Sequence, residues 1–164
     1  MFRRIFPALA LLVAVLLDTA VVPATPIRWL FPFFAFTCTL AMGLTLGRTR
    51  GALFGIFAGL LIDITVSTPV GLMMVLYGLA GLASGLASHV LRRTILFTVI
   101  SAAACLLVYE AAMLIYSLVA GTDFTAAQLA RAGWRVLLNT GLVQLEYLLF
   151  GAVLQPRAAR YDRR

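Results

Sequence analysis

Lysine is absent from this 164-residue chain, charged residues make up only 12% of it, and it has one histidine and two cysteines. So little charge excludes a soluble globular domain, in which about 25% of residues are charged and about 45–50% apolar. Here 63% of residues are hydrophobic and the mean hydropathy is +1.04. His89 stands beside Arg92 and Arg93, which marks it as an interfacial residue rather than a base or ligand. Cys38 and Cys105 lie deep in apolar runs with no CxxC or Cys/His companion, and so read as packing residues. GxSxG, HExxH and phosphate-loop patterns are missing as well. No catalytic residue, metal site or cofactor is therefore expected, and the chain is not expected to be an enzyme.

What the chain does contain is apolar runs. They extend over 5–22, 29–46, 51–66, 70–88, 94–120 and 134–154. One crossing takes roughly 20 residues, so six use about 120 and leave about 44 for tails and loops. Backbone groups in lipid must be satisfied within helices or a closed barrel, and these runs lack the period-2 alternation of barrel strands. The expected fold is an all-α integral membrane protein with six transmembrane helices, a single polytopic domain over 1–164. Arg3 and Arg4 before the first run, with Val22, Pro23 and Ala24 after it, imitate a secretory signal. The expectation is an uncleaved first span, because Pro23 to Arg28 reads as a tight turn into the aromatic start of the second.

All 13 basic residues are Arg, and they cluster between the runs. Ten fall on one side (Arg3, Arg4, Arg48, Arg50, Arg92, Arg93 and the four after residue 156) and three on the other (Arg28, Arg131 and Arg135). The positive-inside bias then places both termini of this multi-pass chain in the cytoplasm. The net charge of +7 is thus a topology signal, with no basic stripe for nucleic acid, and the lipid bilayer is the first partner. Trp29 and Trp134 fall at the outer interface, where indole rings are favoured.

Glycine recurs at 43, 47, 51, 55 and 59, a strict four-residue repeat, and Gly51, Gly55 and Gly59 make one smooth face in the third run. The fourth run has its own small face, Gly78, Gly81 and Gly85. Such faces let helices approach closely where the solvent is itself apolar. They serve either to pack the third and fourth helices together or to receive a partner protein's helix.

Four of the six acids fall inside the runs: Asp18, Asp63, Glu110 and Glu146. A charge at the bilayer centre costs about 2.5–3.5 kcal/mol even on the lenient insertion scale, so each acid needs a partner, water or a proton. No Arg is expected at matching depth. Asp63 lies just before Ser67, Thr68 and Pro69, and Thr68 as N-cap with Pro69 at the first helical position would start the fourth helix. The free N–H groups of that start could then stabilise Asp63, with Gly71 just inside the helix. In the last run Arg135, Asn139 and Glu146 share one face. A contact between Glu110 and that stripe is expected, serving either as an internal polar knot or as a proton path or ligand pocket.

Three segments carry a resemblance. Gly59-Leu60-Leu61-Ile62-Asp63, then Ser67-Thr68-Pro69-Val70-Gly71-Leu72, then Tyr77-Gly78-Leu79-Ala80-Gly81 together resemble the central signature of the rod shape-determining protein MreD family. In that family a glycine-rich helix ends in an acid, a short turn with proline and glycine follows, and the next helix carries a small/aromatic pattern. The matched positions are Gly59, Asp63, Pro69 and Gly71. The resemblance implies a non-enzymatic component of the bacterial wall-elongation machinery. It would associate with the single-span protein MreC, and through it with MreB filaments, the RodA glycosyltransferase and its partner transpeptidase. The fold also looks similar to the membrane substrate-binding subunits of energy-coupling-factor transporters, which would instead make the chain a small-molecule binding subunit.

Overall fold

The computed structural model describes residues 2–21, 33–65, 71–90, 94–121 and 125–154, with side chains except those of 2–4, 21, 89 and 90. These residues form six helices and no strand. They are α1 (Phe2–Leu16, continued by a π-helical turn Leu17–Val21), α2 (Phe34–Leu46), α3 (Arg48–Thr65), α4 (Leu72–Val90), α5 (Ile95–Val119) and α6 (Ala126–Leu154). Two of them, α5 and α6, are long and apolar enough to cross a membrane by length and composition. The readings at Pro23, Arg28, Trp29, Ser67, Thr68, Pro69, Arg92, Arg93 and the basic tail lie outside the described residues, as does the side chain of His89.

α2 is the centre of the bundle. Every residue from Ala35 to Thr45 is buried, and α1, α3, α4 and α6 all pack against it. Its thirteen residues extend for about 20 Å, less than the roughly 30 Å of a hydrocarbon core. Phe36 joins Tyr77 of α4 and Tyr109 of α5 at centroid distances of 5.0 and 4.4 Å, which ties the three helices together. The other five helices turn large apolar side chains outward, among them Leu12, Ile64, Leu79, Val108 and Leu145.

Three helix starts differ from the sequence expectation. α3 begins at Arg48 rather than Gly51, because Gly47, at φ +87°, makes the reversal by itself. Its N–H closes on Gly43 and its carbonyl accepts from Gly51, so one helix stops and the next starts on the same residue. α4 begins at Leu72, with Gly71 outside it at φ +100° rather than inside as expected. A side chain is strained in that left-handed region and glycine is not. α6 begins at Ala126, eight residues ahead of Trp134, because the Gln128 side chain reaches back to the N–H of Thr125 at 2.9 Å. Thr-x-x-Gln is a helix-start signal that the apolar-run criterion passes over.

The glycine faces lie against each other. A Cβ on Gly55 would fall on the carbonyl of Tyr77, one on Gly59 on that of Met73, and one on Gly85 on the backbone of Arg48. Gly78 lies opposite Ile56. Gly51 meets both Gly43 of α2 and Gly81 of α4, each 2.6 Å from where its Cβ would be, so three backbones converge there. Of the two uses the sequence leaves open for these faces, packing within the chain is the one this geometry realises. In this structure the backbone of α4 lies against the α3 glycine face.

Candidate functional site

Three interior polar residues, Asp18, Asp63 and Asn139, meet the starts of α2 and α4. A helix start exposes N–H groups without intrahelical acceptors, and in apolar surroundings each must find one. Asp18, carried on the π-helical turn after α1, supplies two oxygens. Its Oδ1 accepts the N–H of Phe34 at 2.9 Å and its Oδ2 that of Ala35 at 2.8 Å. Asn139 on α6 accepts the N–H of Phe33 at 2.8 Å and donates its amide to the carbonyl of Arg135 at 2.7 Å. The start of α2 is therefore closed by one acid from the preceding helix and one amide from the last.

Asp63 does the same for α4. Its carboxylate, 5% exposed, accepts from Gly71 at 3.0 Å, Met73 at 3.2 Å and Met74 at 3.0 Å. Negative charge at a helix N-terminus is favoured by the aligned peptide dipoles as well as by these bonds. Asp18 and Asp63 each stand near the C-terminal end of one helix and close the start of the next.

The two glutamates are held differently. Glu110 on α5 lies 3.9 Å from the guanidinium of Arg135 on α6, which corrects the expectation that no Arg reaches an interior acid. The early start of α6 places Arg135 nine residues inside the helix, and its long side chain then reaches inward. The same guanidinium lies over the ring of Phe33, 5.2 Å from its centroid, a favourable cation–π placement. Glu146 accepts from the hydroxyl of Thr37 at 3.2 Å through Oε1, while its buried Oε2 has no hydrogen-bond partner among the described residues. Arg135, Asn139 and Glu146 thus all turn toward α2 or α5, and Gln144, off that line, bonds Thr98 of α5 at 2.8 Å. Thr37, Thr98 and the Arg135–Phe33 contact escape a reading of the sequence, because each depends on a residue far away in the chain.

What this arrangement can do chemically is limited. Asp18, Asp63 and Asn139 are used as acceptors for backbone, which leaves them to build helices rather than to react. No group of three or more His, Cys, Asp or Glu that could hold a metal ion occurs among the described residues. A groove of about 310 Å³ lies between α1, α2 and α6, with Glu146 its one charged lining residue.

A helical bundle with an apolar exterior and interior acids that close helix starts defines an all-helical class of protein. Within that class, the chain belongs to the family whose model is described as rod shape-determining protein MreD, which matches residues 2–156. The family is membrane-associated and acts in rod-shape determination, and this chain shares that role. No curated protein and no solved structure matches it.

Proposed function

We propose that the chain is a six-span, non-enzymatic scaffold of the inner membrane, a single membrane domain with both termini cytoplasmic. In this reading it docks MreC, and through it the MreB filaments, RodA and its partner transpeptidase of the wall-elongation complex. The observation that carries the reading is the use of Asp18 and Asp63 as helix-start acceptors, each taking two or more backbone N–H bonds. Acids spent in this way favour a rigid frame over a transport pocket, which needs polar groups free for its ligand. With the α3 glycine face filled by α4, the surface left for docking is the outward apolar side of α1 and α3 to α6. Gly59, Asp63 and Gly71 then serve to shape the α3–α4 hairpin that presents it.

The test is co-purification with MreC from membranes, alongside rescue of rod shape in cells lacking their own MreD. The full chain should do both. A chain that inserts stably in the membrane yet neither retains MreC nor restores rods would sink the reading.

A further inference from the structure

The outward helices fall into two length groups. The apolar stretches of α1 and α4, Ile5–Ala20 and Leu72–Ser88, reach about 24 and 26 Å, and the part of α3 after the exposed Arg50, to the helix end at Thr65, reaches about 22 Å. The apolar runs of the sequence stop within two residues of these limits, at 5–22, 51–66 and 70–88, so the shortness belongs to the residues and not to where a helix frays. α5 is 25 residues long and reaches about 38 Å, while α6 reaches about 31 Å from Trp134 to Leu154 alone. A typical hydrocarbon core, about 30 Å thick, lies between the two groups.

The short helices are neighbours. Around the buried α2, α1 packs on α3, α3 on α4, α4 on α5 and α5 on α6, with the groove lying between α6 and α1. α1, α3 and α4 therefore form one unbroken arc of the surface, and α5 with α6 forms the other. Leu12, Phe57 and Leu79 face outward on the first arc, and Val108 and Leu145 on the second.

The two arcs respond differently to a bilayer. A helix longer than the hydrocarbon core fits it by leaning, but no lean lengthens a short helix. In a chain that spans the membrane six times, α5 and α6 are thus accommodated by tilt, whereas α1, α3 and α4 fall short by about 4–8 Å. Reach by the Arg50 side chain toward the headgroups offsets part of this on α3, and thinning of the lipid takes up the rest.

We propose that the arc formed by α1, α3 and α4 is a lipid-selecting surface, which thins the bilayer beside it and gathers lipids with short acyl chains, while α5 and α6 sit in bilayer of ordinary thickness. The proposal rests on the six-span placement above and adds to it the class of lipid that each side meets. Tail length is what the arc selects, because its outward side chains are apolar and offer a headgroup nothing to bind.

The experiment uses the full chain with Trp29→Phe and Trp134→Phe and places one tryptophan at an outward site away from the helix ends, by Phe57→Trp on α3 or by Leu145→Trp on α6. The parent side chains there are 58% and 65% exposed, so neither change disturbs the interior. Each variant is reconstituted in an equal mixture of dimyristoleoyl- and dierucoyl-phosphatidylcholine. One lipid and then the other is brominated on its tails, and quenching of the tryptophan reports which lies beside it. The short-tailed lipid should be enriched about twofold in Phe57→Trp relative to Leu145→Trp. The parent chain should also unfold at a lower temperature in dierucoyl than in dimyristoleoyl bilayers. The same lipid ratio at both sites would overturn the proposal, and so would a higher unfolding temperature in the long-tailed lipid. Quenching at neither site by either lipid would overturn the six-span placement and the proposal with it. Retention of MreC is scored separately, so failure of lipid selection is distinguishable from failure of the scaffold reading.

Discussion

Gly51 and Gly81 face each other across α3 and α4 so closely that a Cβ on either would run into the carbonyl oxygen of the other. The contact is reciprocal and made of backbone, which cannot move aside as a flexible side chain could. Gly51→Ala or Gly81→Ala should therefore destabilise the bundle by about 1–3 kcal/mol. Gly133→Ala and Gly141→Ala on α6, where a Cβ meets nothing within 4 Å, should be neutral or add up to about 1 kcal/mol of helix stability. Unfolding of the four variants in detergent micelles checks the contrast, and a Gly81→Ala chain as stable as Gly141→Ala would refute it. A large residue such as Phe at Gly55 should abolish the folded chain itself, not MreC binding alone.

Asp63 satisfies three backbone donors at once, so its loss should be felt at the start of α4. Asp63→Ala leaves the N–H groups of Gly71, Met73 and Met74 without this acceptor and should cost about 1–3 kcal/mol. Asp63→Asn keeps one acceptor oxygen and should recover part of the loss. Hydrogen exchange reads the effect directly, with the Met73 and Met74 amides opening faster in Asp63→Ala than in Asp63→Asn. Equal protection in both variants and the parent chain would mean the bonds contribute nothing.

The Glu110–Arg135 pair is asymmetric, with the glutamate side chain 9% exposed and the arginine 29%. Removing the cation strands the more buried charge, and it also removes the contact with the Phe33 ring. Arg135→Gln should therefore destabilise the chain more than Glu110→Gln. At 3.9 Å and with one partner partly exposed, the coupling in a double-mutant cycle should stay below about 1 kcal/mol. Thermal unfolding of the two single variants and the double variant gives both numbers, and the reverse order of the singles would contradict the assignment.

The proposed topology places the start of α3 and the start of α6 on opposite sides of the membrane. In a chain with Cys38 and Cys105 replaced by Ala, Gln128→Cys should react with a membrane-impermeant thiol reagent in intact spheroplasts. Arg50→Cys should react only after the membrane is opened. Labelling of both positions from the same side would rule out the six-span arrangement.

The six helices were legible because each apolar run is bounded by residues that end helices or carry charge. The start of α6 was not, because Arg131 and Arg135 interrupt its hydropathy while the Thr125–Gln128 signal lies outside the apolar stretch. The relation of Asp63 to the next helix could be read since its acceptor bonds reach only eight to eleven residues ahead. That of Asn139 to Phe33 could not, at a separation of 106 residues, because it depends on how α6 is rotated against α2.

The sequence by itself determined that this chain is helical, apolar on its outside and sparing with charge, and that its acids would have to find partners. Composition and local spacing suffice for that, because they express the cost of burying backbone and charge. Only the tertiary structure decided that Asp18 closes the start of α2 and Glu146 meets Thr37, that the glycine faces of α3 and α4 lie on each other, and that a groove is left beside α1. Those outcomes follow from the rotation and closeness of packed helices, and contacts between residues far apart in the chain set both.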